Sequence, residues 1–449
     1  MTQKKKAVSL TEGSIARGIL GFAIPLFLGQ LLQQLYNMAE AWVVGNFAEN
    51  EAFAAVSMSS NISFLIIGFF NGIATGGGVV ISRYFGARNE KETERAIHTN
   101  FLFGIWASIF STVVGVLLVP QLLKWMHTPE SVMPHALTYF RIYFGGVSTI
   151  IMYNICMAVM RSLGDSIHPL YYLMISSGIN VVLDLLFVAG FHWGVGGAAV
   201  ATVISQGLSA VLCIVRMCRV SDYTGLDFRK LKIYPSILEQ VIHQGLPSGL
   251  QNSVISIGNL VVQTNINSFG AYAISGYGAY NKIEGIVFLP IMSMSMALPT
   301  FISQNLGAGE WERAKKGAVF GTLAGMTMAE LIGVVLYLGC EGALNVFVDA
   351  PEAIHFGMIH GRTVSLFFFL LAFSHCAAGI MRGCGKAVIP MAVMLASWCG
   401  IRIVYVTIIL KFIHEFKMIS WAYPLTWSIS TLAFLYFLKR TDWKKTFKI

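Results

Sequence analysis

The chain has 449 residues, 55% of them hydrophobic and 12% charged, with a mean hydropathy of +0.67 and a formal net charge of +9. A soluble globular chain carries roughly twice that share of charge, so lipid is the expected solvent. Filled with spans of about 20 residues each, this length leaves no room for a separate catalytic, nucleic-acid-binding or ATP-hydrolysing module.

Lys4, Lys5 and Lys6 open the chain, but the short apolar core of a cleaved signal peptide does not follow them before Ile15. The stretch from Ile15 to Val44 is too long for such a core and is expected to stay as a mature helix. Apolar runs separated by charge clusters then give spans at Ile19 to Val44, Val56 to Ile81, Ile97 to Leu118, Tyr139 to Met160, Leu170 to Ala189 and Gly196 to Met217. A polar linker covers 219–236 and divides an N-lobe, 1–218, from a C-lobe, 237–449. The second set of spans runs Val241 to Ser268, Tyr272 to Ile302, Ala318 to Gly339, Thr363 to Met381, Ile389 to Leu410 and Met418 to Leu438. The fold class expected is an all-α membrane protein of about 12 transmembrane helices in two pseudo-symmetric six-helix lobes.

Placing both termini in the cytoplasm puts 24 of the 31 basic residues on that side. Five (Lys124, Arg141, Arg362, Lys411 and Lys417) fall on the other, and Lys282 and Arg402 lie within spans. The positive charge thus belongs to loops on one membrane face, not to a nucleic-acid surface. Seven cysteines sit mostly in apolar runs without a CxxC pair, which reads as small buried hydrophobes and gives neither a metal site nor a redox motif.

The halves repeat. Met160-Arg161-Ser162-Leu163-Gly164 with Pro169 matches Met381-Arg382-Gly383-Cys384-Gly385 with Pro390 at an offset of 221. The same offset pairs Ser82 to Ala87 with Ser303 to Ala308. Six spans return the chain to its starting side, so the halves are parallel, as in transporters whose substrate path runs between two such repeats. A channel can be built the same way.

Ionisable groups inside spans cost at least a few kcal/mol and are functional candidates by default. Glu40 lies five residues before Gly45, Asp184 six before Gly190, and Thr202 six after Gly196, so at 1.5 Å per residue they share a layer roughly 8 to 9 Å below the outer surface. Asn180 is on the Asp184 face. This set, Glu40, Asn180, Asp184 and Thr202, can share a proton or supply oxygen ligands to a sodium ion. The second half carries Val261, Ile401 and Tyr405 at the positions of Glu40, Asn180 and Asp184, so coupling is expected from the first lobe alone. The second lobe instead holds Lys282, Glu284, Glu330, His375 and Arg402. They read either as a structural ion-pair network around Arg402 or as a substrate contact through Glu284 with a relay through His375. Pro25, Pro290 and Pro299 permit bending, and Met292, Met294 and Met296 between the last two offer an adaptable cavity surface or a lipid face. Asn71 to Gly78 is expected to let helices approach closely.

At Ile24-Pro25 to Gly29-Gln30, Leu35-Tyr36-Asn37-Met38-Ala39-Glu40 to Val44-Gly45, Asn180 to Asp184, Gly194 to Thr202 and the two Gly-Ala loops, the chain resembles the multidrug and toxic compound extrusion (MATE) family. The likeness runs from about Gly18 to Leu438. It implies two six-helix lobes around a central cavity, and secondary active efflux of amphipathic, cationic compounds by antiport with protons or sodium ions, with alternating access between the lobes. It also implies a multi-pass monomer in a bacterial-type inner membrane, with the lipid bilayer and small-molecule substrates as its partners and no cofactor. The family usually has an aspartate where Glu40 stands, a change that favours proton over sodium. Some members couple through an acid in span seven, where this chain has Gln251 and Asn252, which are assigned to the substrate cavity. A lipid-linked saccharide flippase is the nearest rival, but it would want more basic residues in the spans than Lys282 and Arg402. An enzyme is not expected, since HExxH, GxSxG and Walker A patterns are absent from the sequence.

The charge bias makes a direct prediction. Reporter fusions after Ile449 and in the linker near Leu226 should both report the cytoplasmic side, and opposite sides would break the six-plus-six arrangement.

Overall fold

The computed structural model describes residues 9–48, 50–125, 128–220 and 222–444, without the side chains of 50–54, 57–67 and 257. Lys4, Lys5, Lys6, Lys445 and Lys448 of the charge count lie outside the described residues. Among these the chain is helical throughout, with no strand. The first half contains α1 (Ile15–Phe47), α2 (Asn50–Gly86), α3 (Glu90–Trp125), α4 (Met133–Gly145), α5 (Val147–Ser162), α6 (Ile167–Asp184) and α7 (Gly194–Arg219). The second contains α8 (Pro235–Asn267), α9 (Ala271–Gly307), α10 (Trp311–Leu344), α11 (Pro351–Val364), α12 (Phe368–Gly383), α13 (Val388–Met394), α14 (Arg402–Phe412) and α15 (Phe416–Lys439).

Among the described residues eight helical runs are long and apolar enough to cross a membrane, and α4 with α5, bent by 44°, makes a ninth. The remaining helices α2, α8 and α15, of 37, 33 and 24 residues, each exceed the thickness of a hydrocarbon core of about 30 Å. Two sets of six runs result, as the hydropathy pattern implies. The tenth run begins earlier than expected, at Pro351 and not near Thr363, because Glu352, His355, His360 and Arg362 make its first turns polar while Pro351 supplies a preset first helical position.

The repeat holds at the level of the backbone. Gly164 and Gly385, matched by the offset, both adopt left-handed φ values, +86° and +73°. Arg88 and Gly309, also matched, do the same at +54° and +77°, so the first half holds a side chain where the second uses glycine. The fourth run of each half is interrupted at the matched place, Gly146 in one and the 3₁₀ turn Ser365–Phe367 in the other. The fifth run of each half contains a π-helical stretch, Leu185–Gly190 and Leu395–Ile401.

Packing divides the chain into two compact units, at points the linker does not mark. Leu28–Gly245 belongs to the first, and Leu10–Phe27 joins Leu246 and everything after it in the second. The expected boundary at 219–236 is therefore displaced into the helices themselves. The cause is local burial. Ile19, Phe22 and Leu26 of α1 enter a core with Leu298, Phe301 and Ile380, while Ile237 and Val241 of α8 enter one with Tyr84, Phe85 and Ile97. The N-terminal strand of chain before α1 is held in the second unit as well. Gln304 Oε1 accepts the Leu10 N–H at 3.0 Å, and the Arg313 guanidinium donates to the Gly13 carbonyl at 2.7 Å.

Within the first unit the glycine stretch of α2 permits the close approach expected of it. A Cβ on Gly76 would lie 2.2 Å from the Gly245 nitrogen, and one on Gly77 would lie 1.9 Å from Asn100 Oδ1. Gly76→Val should therefore lower the thermal midpoint of the purified protein by the overpacking cost of about 1–3 kcal/mol or prevent folding. Gly21→Ala, with nothing within 4 Å of the new Cβ, should leave the midpoint unchanged.

Candidate functional site

In the first unit α1 and α7 meet at two polar rungs one helical turn apart. Thr202 Oγ1 donates to Glu40 Oε1 at 3.3 Å, and the Gln206 amide donates to the Tyr36 hydroxyl at 3.5 Å. Pairs four residues apart lie on one helix face, so Tyr36 with Glu40 and Thr202 with Gln206 form matching edges. Further along α7 Ser209 donates to Ser176 at 2.6 Å, tying α7 to α6. Asp184 is 0% exposed and Asn180 1% exposed on α6. Among the described residues both Asp184 oxygens, both polar atoms of the Asn180 amide and the Ser177 hydroxyl have no hydrogen-bond partner. The Asp184 and Glu40 carboxylates lie within electrostatic reach of each other.

Local sequence explains why Asp184 sits so deep. It is the last α-helical residue before the π-helical stretch, where the wider turn re-aims the chain. Gly197 of α7 packs against that stretch so closely that a Cβ there would come within 3.0 Å of the Phe187 side chain and 3.1 Å of its backbone. An ionised carboxylate buried in this way without donors costs several kcal/mol, so it calls for a proton or a bound cation. All the donor atoms are oxygens of carboxylate, amide and hydroxyl groups, which suit either.

The structure thus brings Glu40 to Thr202 and places Asp184 near Glu40, with Asn180 on the Asp184 face. Tyr36, Gln206 and Ser177 are additions that the sequence reading passed over. Their signal was present, since Ser177, Asn180 and Asp184 repeat at helical spacing, as do Thr202 and Gln206.

The second unit is built differently. Arg402 is 3% exposed, and Nε and Nη2 donate to Thr426 Oγ1 at 3.3 and 2.9 Å. Its guanidinium lies 4.3 Å over the Tyr423 ring and 5.7 Å over the Trp398 ring. Among the described residues it makes no ion pair, so of the two readings left open for these residues the ion-pair network around Arg402 does not form. Lys282 is exposed, with its ammonium 5.7 Å over Phe347 beyond the end of α10. Glu330 accepts the Phe369 N–H at 3.2 Å. Residue counting did not foresee the exposure of Lys282, because it fixes height along a helix and not the direction in which the side chain leaves it. Glu284 is half-buried and within reach of the Arg402 charge.

His375 stands edge-on to Phe288 and Trp398, at ring separations of 4.9 and 5.2 Å, and its Nε2 is unpartnered among the described residues. His360, which the sequence reading did not single out, is 1% exposed, bonds Ser420 through Nδ1 at 3.0 Å and packs edge-on to Tyr277, Tyr280 and Tyr423. Tyr277 and Tyr423 join hydroxyls at 2.7 Å. It was passed over because its helix, α11, is too polar at its start to read as a span.

The methionine surface is corrected in part. Met294 is 2% exposed and packs with Leu298, Phe301 and Cys376, so it fills the interior, while Met296 is half-buried against the same core. The spacing of Met294, Leu298 and Phe301 along one helix face causes this. Met292 is half-buried. Gln251 donates to the Met394 sulfur at 2.8 Å, and the Asn252 carbonyl accepts from Ser256 at 3.1 Å. Pro25 lies inside α1 and Pro290 and Pro299 inside α9, each helix running through them as one element.

Twelve helical runs in two matched sets, with carboxylates and a guanidinium buried inside apolar helices, define a polytopic membrane transport protein. The chain belongs to the MatE family, the multidrug and toxic compound extrusion proteins, whose profile matches residues 25–186 and again residues 247–408. Among similar proteins is the probable multidrug resistance protein YpnP of Bacillus subtilis, 27% identical with 98% of each chain covered. A solved MOP superfamily transporter from Pyrococcus furiosus, described as having a binding pocket of reversed polarity, superposes with a TM-score of 0.90 at 20% identity, covering 98% of each chain. An outward-facing multidrug resistance MATE transporter gives 0.91, also at 20% identity and 98% of each chain. These structures share the fold.

The Arg402 arrangement yields a prediction. Thr426→Val removes the acceptor of a buried guanidinium and should lower the thermal midpoint by the equivalent of about 1–3 kcal/mol. Thr426→Ser, which keeps the hydroxyl, should restore most of that loss in the same melting experiment.

Proposed function

We propose that this chain is a proton-coupled exporter of amphipathic, cationic compounds, working by alternating access as a monomer in the inner membrane with both termini in the cytoplasm. The observation that carries the reading is the Asp184 carboxylate, fully buried beside Glu40 and without a hydrogen-bond donor among the described residues. The printed names of the relatives, multidrug resistance proteins and a multidrug resistance MATE transporter, support the substrate class. Glu40, Asn180, Asp184 and Thr202 carry the coupling ion, Tyr36 and Gln206 hold α1 and α7 in register, and Glu284 contacts the substrate cation.

Two neighbouring buried carboxylates titrate as a pair, and one proton between them removes most of their mutual repulsion. A proton taken up from outside discharges the pair, and its release inside restores the charge. Each step changes what α6 presents to α1 and α7, so the Glu40 to Thr202 contact is the bond that reports occupancy. Repacking of the first unit, with Pro25 as the flexible point of α1, then changes affinity for the exported cation. Sodium would need the same oxygens arranged as a compact shell, and the extra methylene of Glu40 works against that geometry.

Proteoliposomes test this. Efflux should follow an imposed proton gradient, and Asp184→Asn should reduce it to the level of protein-free liposomes while the protein melts normally. Glu284→Gln should change which compounds are exported. Efflux that needs sodium at equal pH on both sides, and ignores a proton gradient, would overturn the choice of ion.

A further inference from the structure

The turn between the fifth and sixth spans of each half carries exposed rings that the coupling site does not use. In the first unit it joins the π-helical stretch Leu185–Gly190 to α7. His192 and Gly194 take left-handed φ values of +56° and +54°, which fold the chain back on itself. Trp193 then donates its N–H to the Phe187 carbonyl at 2.9 Å and stacks its ring on the Phe187 ring at 5.0 Å and 20°. Phe191 lies against both, 6.1 Å from the Phe187 ring and 5.6 Å from that of Trp193. Phe191 and Trp193 nevertheless remain 52% and 55% exposed.

The second unit repeats this at the offset of 221, where Phe412 matches Phe191 and His414 matches Trp193. His414 stacks on Phe269 at 4.5 Å and 7°, Phe416 stands edge-on to Phe269 at 5.7 Å, and Phe412 is 81% exposed. Both halves thus keep a stacked pair that includes a nitrogen-bearing ring, next to an exposed phenyl ring.

Three zones follow one another towards each turn. Outward positions before it are aliphatic, Val182 and Leu186 in the first half at 63% and 43% exposed, and Val404 and Ile408 in the second at 55% and 51%. The rings come next. Exposed polar side chains stand at the turn itself, His192 in one half and Lys411, Glu415 and Lys417 in the other. Aliphatic chains suit hydrocarbon and charges suit water, while rings with an apolar body and a polar tip suit the layer between. A surface that paired two copies of the chain by a twofold axis would be one self-complementary patch. A pattern present in both halves instead fits a medium that surrounds the protein.

We propose that these two turns are interfacial anchors, seated in the headgroup and carbonyl layer of the bilayer. Trp193 and His414 supply the polar tips, and Phe191 and Phe412 supply the apolar bodies that meet the first segments of the acyl chains.

The test uses the purified full chain in liposomes and takes the tryptophan emission of the wild type minus that of Trp193→Phe, which isolates Trp193. Lipids brominated next to the ester carbonyls should quench this emission more strongly than lipids brominated at the chain ends. Phe412→Trp, made in the Trp193→Phe protein, should gain an emission with the same order of quenching. Equal or stronger quenching by chain-end bromines would place the rings in hydrocarbon. Quenching by aqueous iodide without any by brominated lipid would place them in water, and protection from every quencher would mean that protein covers them. Any of these results, at either turn, overturns the anchor. The readout needs neither an ion gradient nor a cargo, so it stands or falls apart from the proposed export.

Discussion

Burying an ionised group where no water reaches it is the constraint from which the polar architecture of this protein follows. Each charge that enters an apolar helix must be answered by a donor, an opposite charge or a π-face, or must give up its charge. Most are answered. Glu330 takes a backbone N–H from Phe369, Glu40 takes the Thr202 hydroxyl, and Arg402 rests on Thr426 and the face of Tyr423. Asp184 is different, since its two oxygens are unpartnered among the described residues at full burial. A carboxylate so placed is costly in its ionised form until a proton or a cation answers it. The membrane makes this cost sharp, because water cannot complete the shell as it would in a soluble protein.

The repeat supplies a common frame on which different chemistry is mounted. Matched left-handed positions at Gly164 and Gly385, and at Arg88 and Gly309, show that loop geometry is kept even where the residue type is not. Matched breaks at Gly146 and Ser365–Phe367 show the same for helix interruptions. On this shared backbone the first unit carries Glu40, Asn180 and Asp184, and the second carries Val261, Ile401 and Tyr405. The frame is conserved internally because packing and turn geometry constrain it twice. The side chains are free to differ because lipid-facing and interior positions are fixed by the frame whatever they hold.

Much of this was legible in the sequence, and the exceptions have particular causes. Long apolar runs and their spacing marked the helices, because in lipid the backbone must satisfy itself and a helix is then obligatory. The meeting of Glu40 with Thr202 was legible because rise per residue converts position into height along a helix. Depth is one coordinate, however, and the azimuth of a side chain depends on which face the neighbours bury. That is why Lys282, near Glu284 in sequence, points out to Phe347, and why Met294 became core beside Phe301. The start of α1 joining the second unit was illegible for a related reason, since the hydropathy of Ile19, Phe22 and Leu26 says that they are buried but not against what. His360 escaped notice because a polar helix start looks like a loop until its tertiary partners, Tyr277, Tyr280 and Tyr423, are in place.

The two units also differ in the kind of charge they hold, and the difference bears on mechanism. In the first, the Asp184 oxygens are buried and unpartnered among the described residues, within electrostatic reach of Glu40, whose Oε1 accepts the Thr202 hydroxyl. In the second, the buried charge is a guanidinium already held by an aromatic face and a hydroxyl, with Glu284 half-buried within its reach. A guanidinium does not release its proton in any accessible range, so this unit cannot cycle by discharging Arg402. The buried carboxylate without partners among the described residues and the buried guanidinium are thus carried by different halves of one repeated frame. One helix, α1, contributes to both units, with Leu26 in the core of the second and Glu40 at the site of the first.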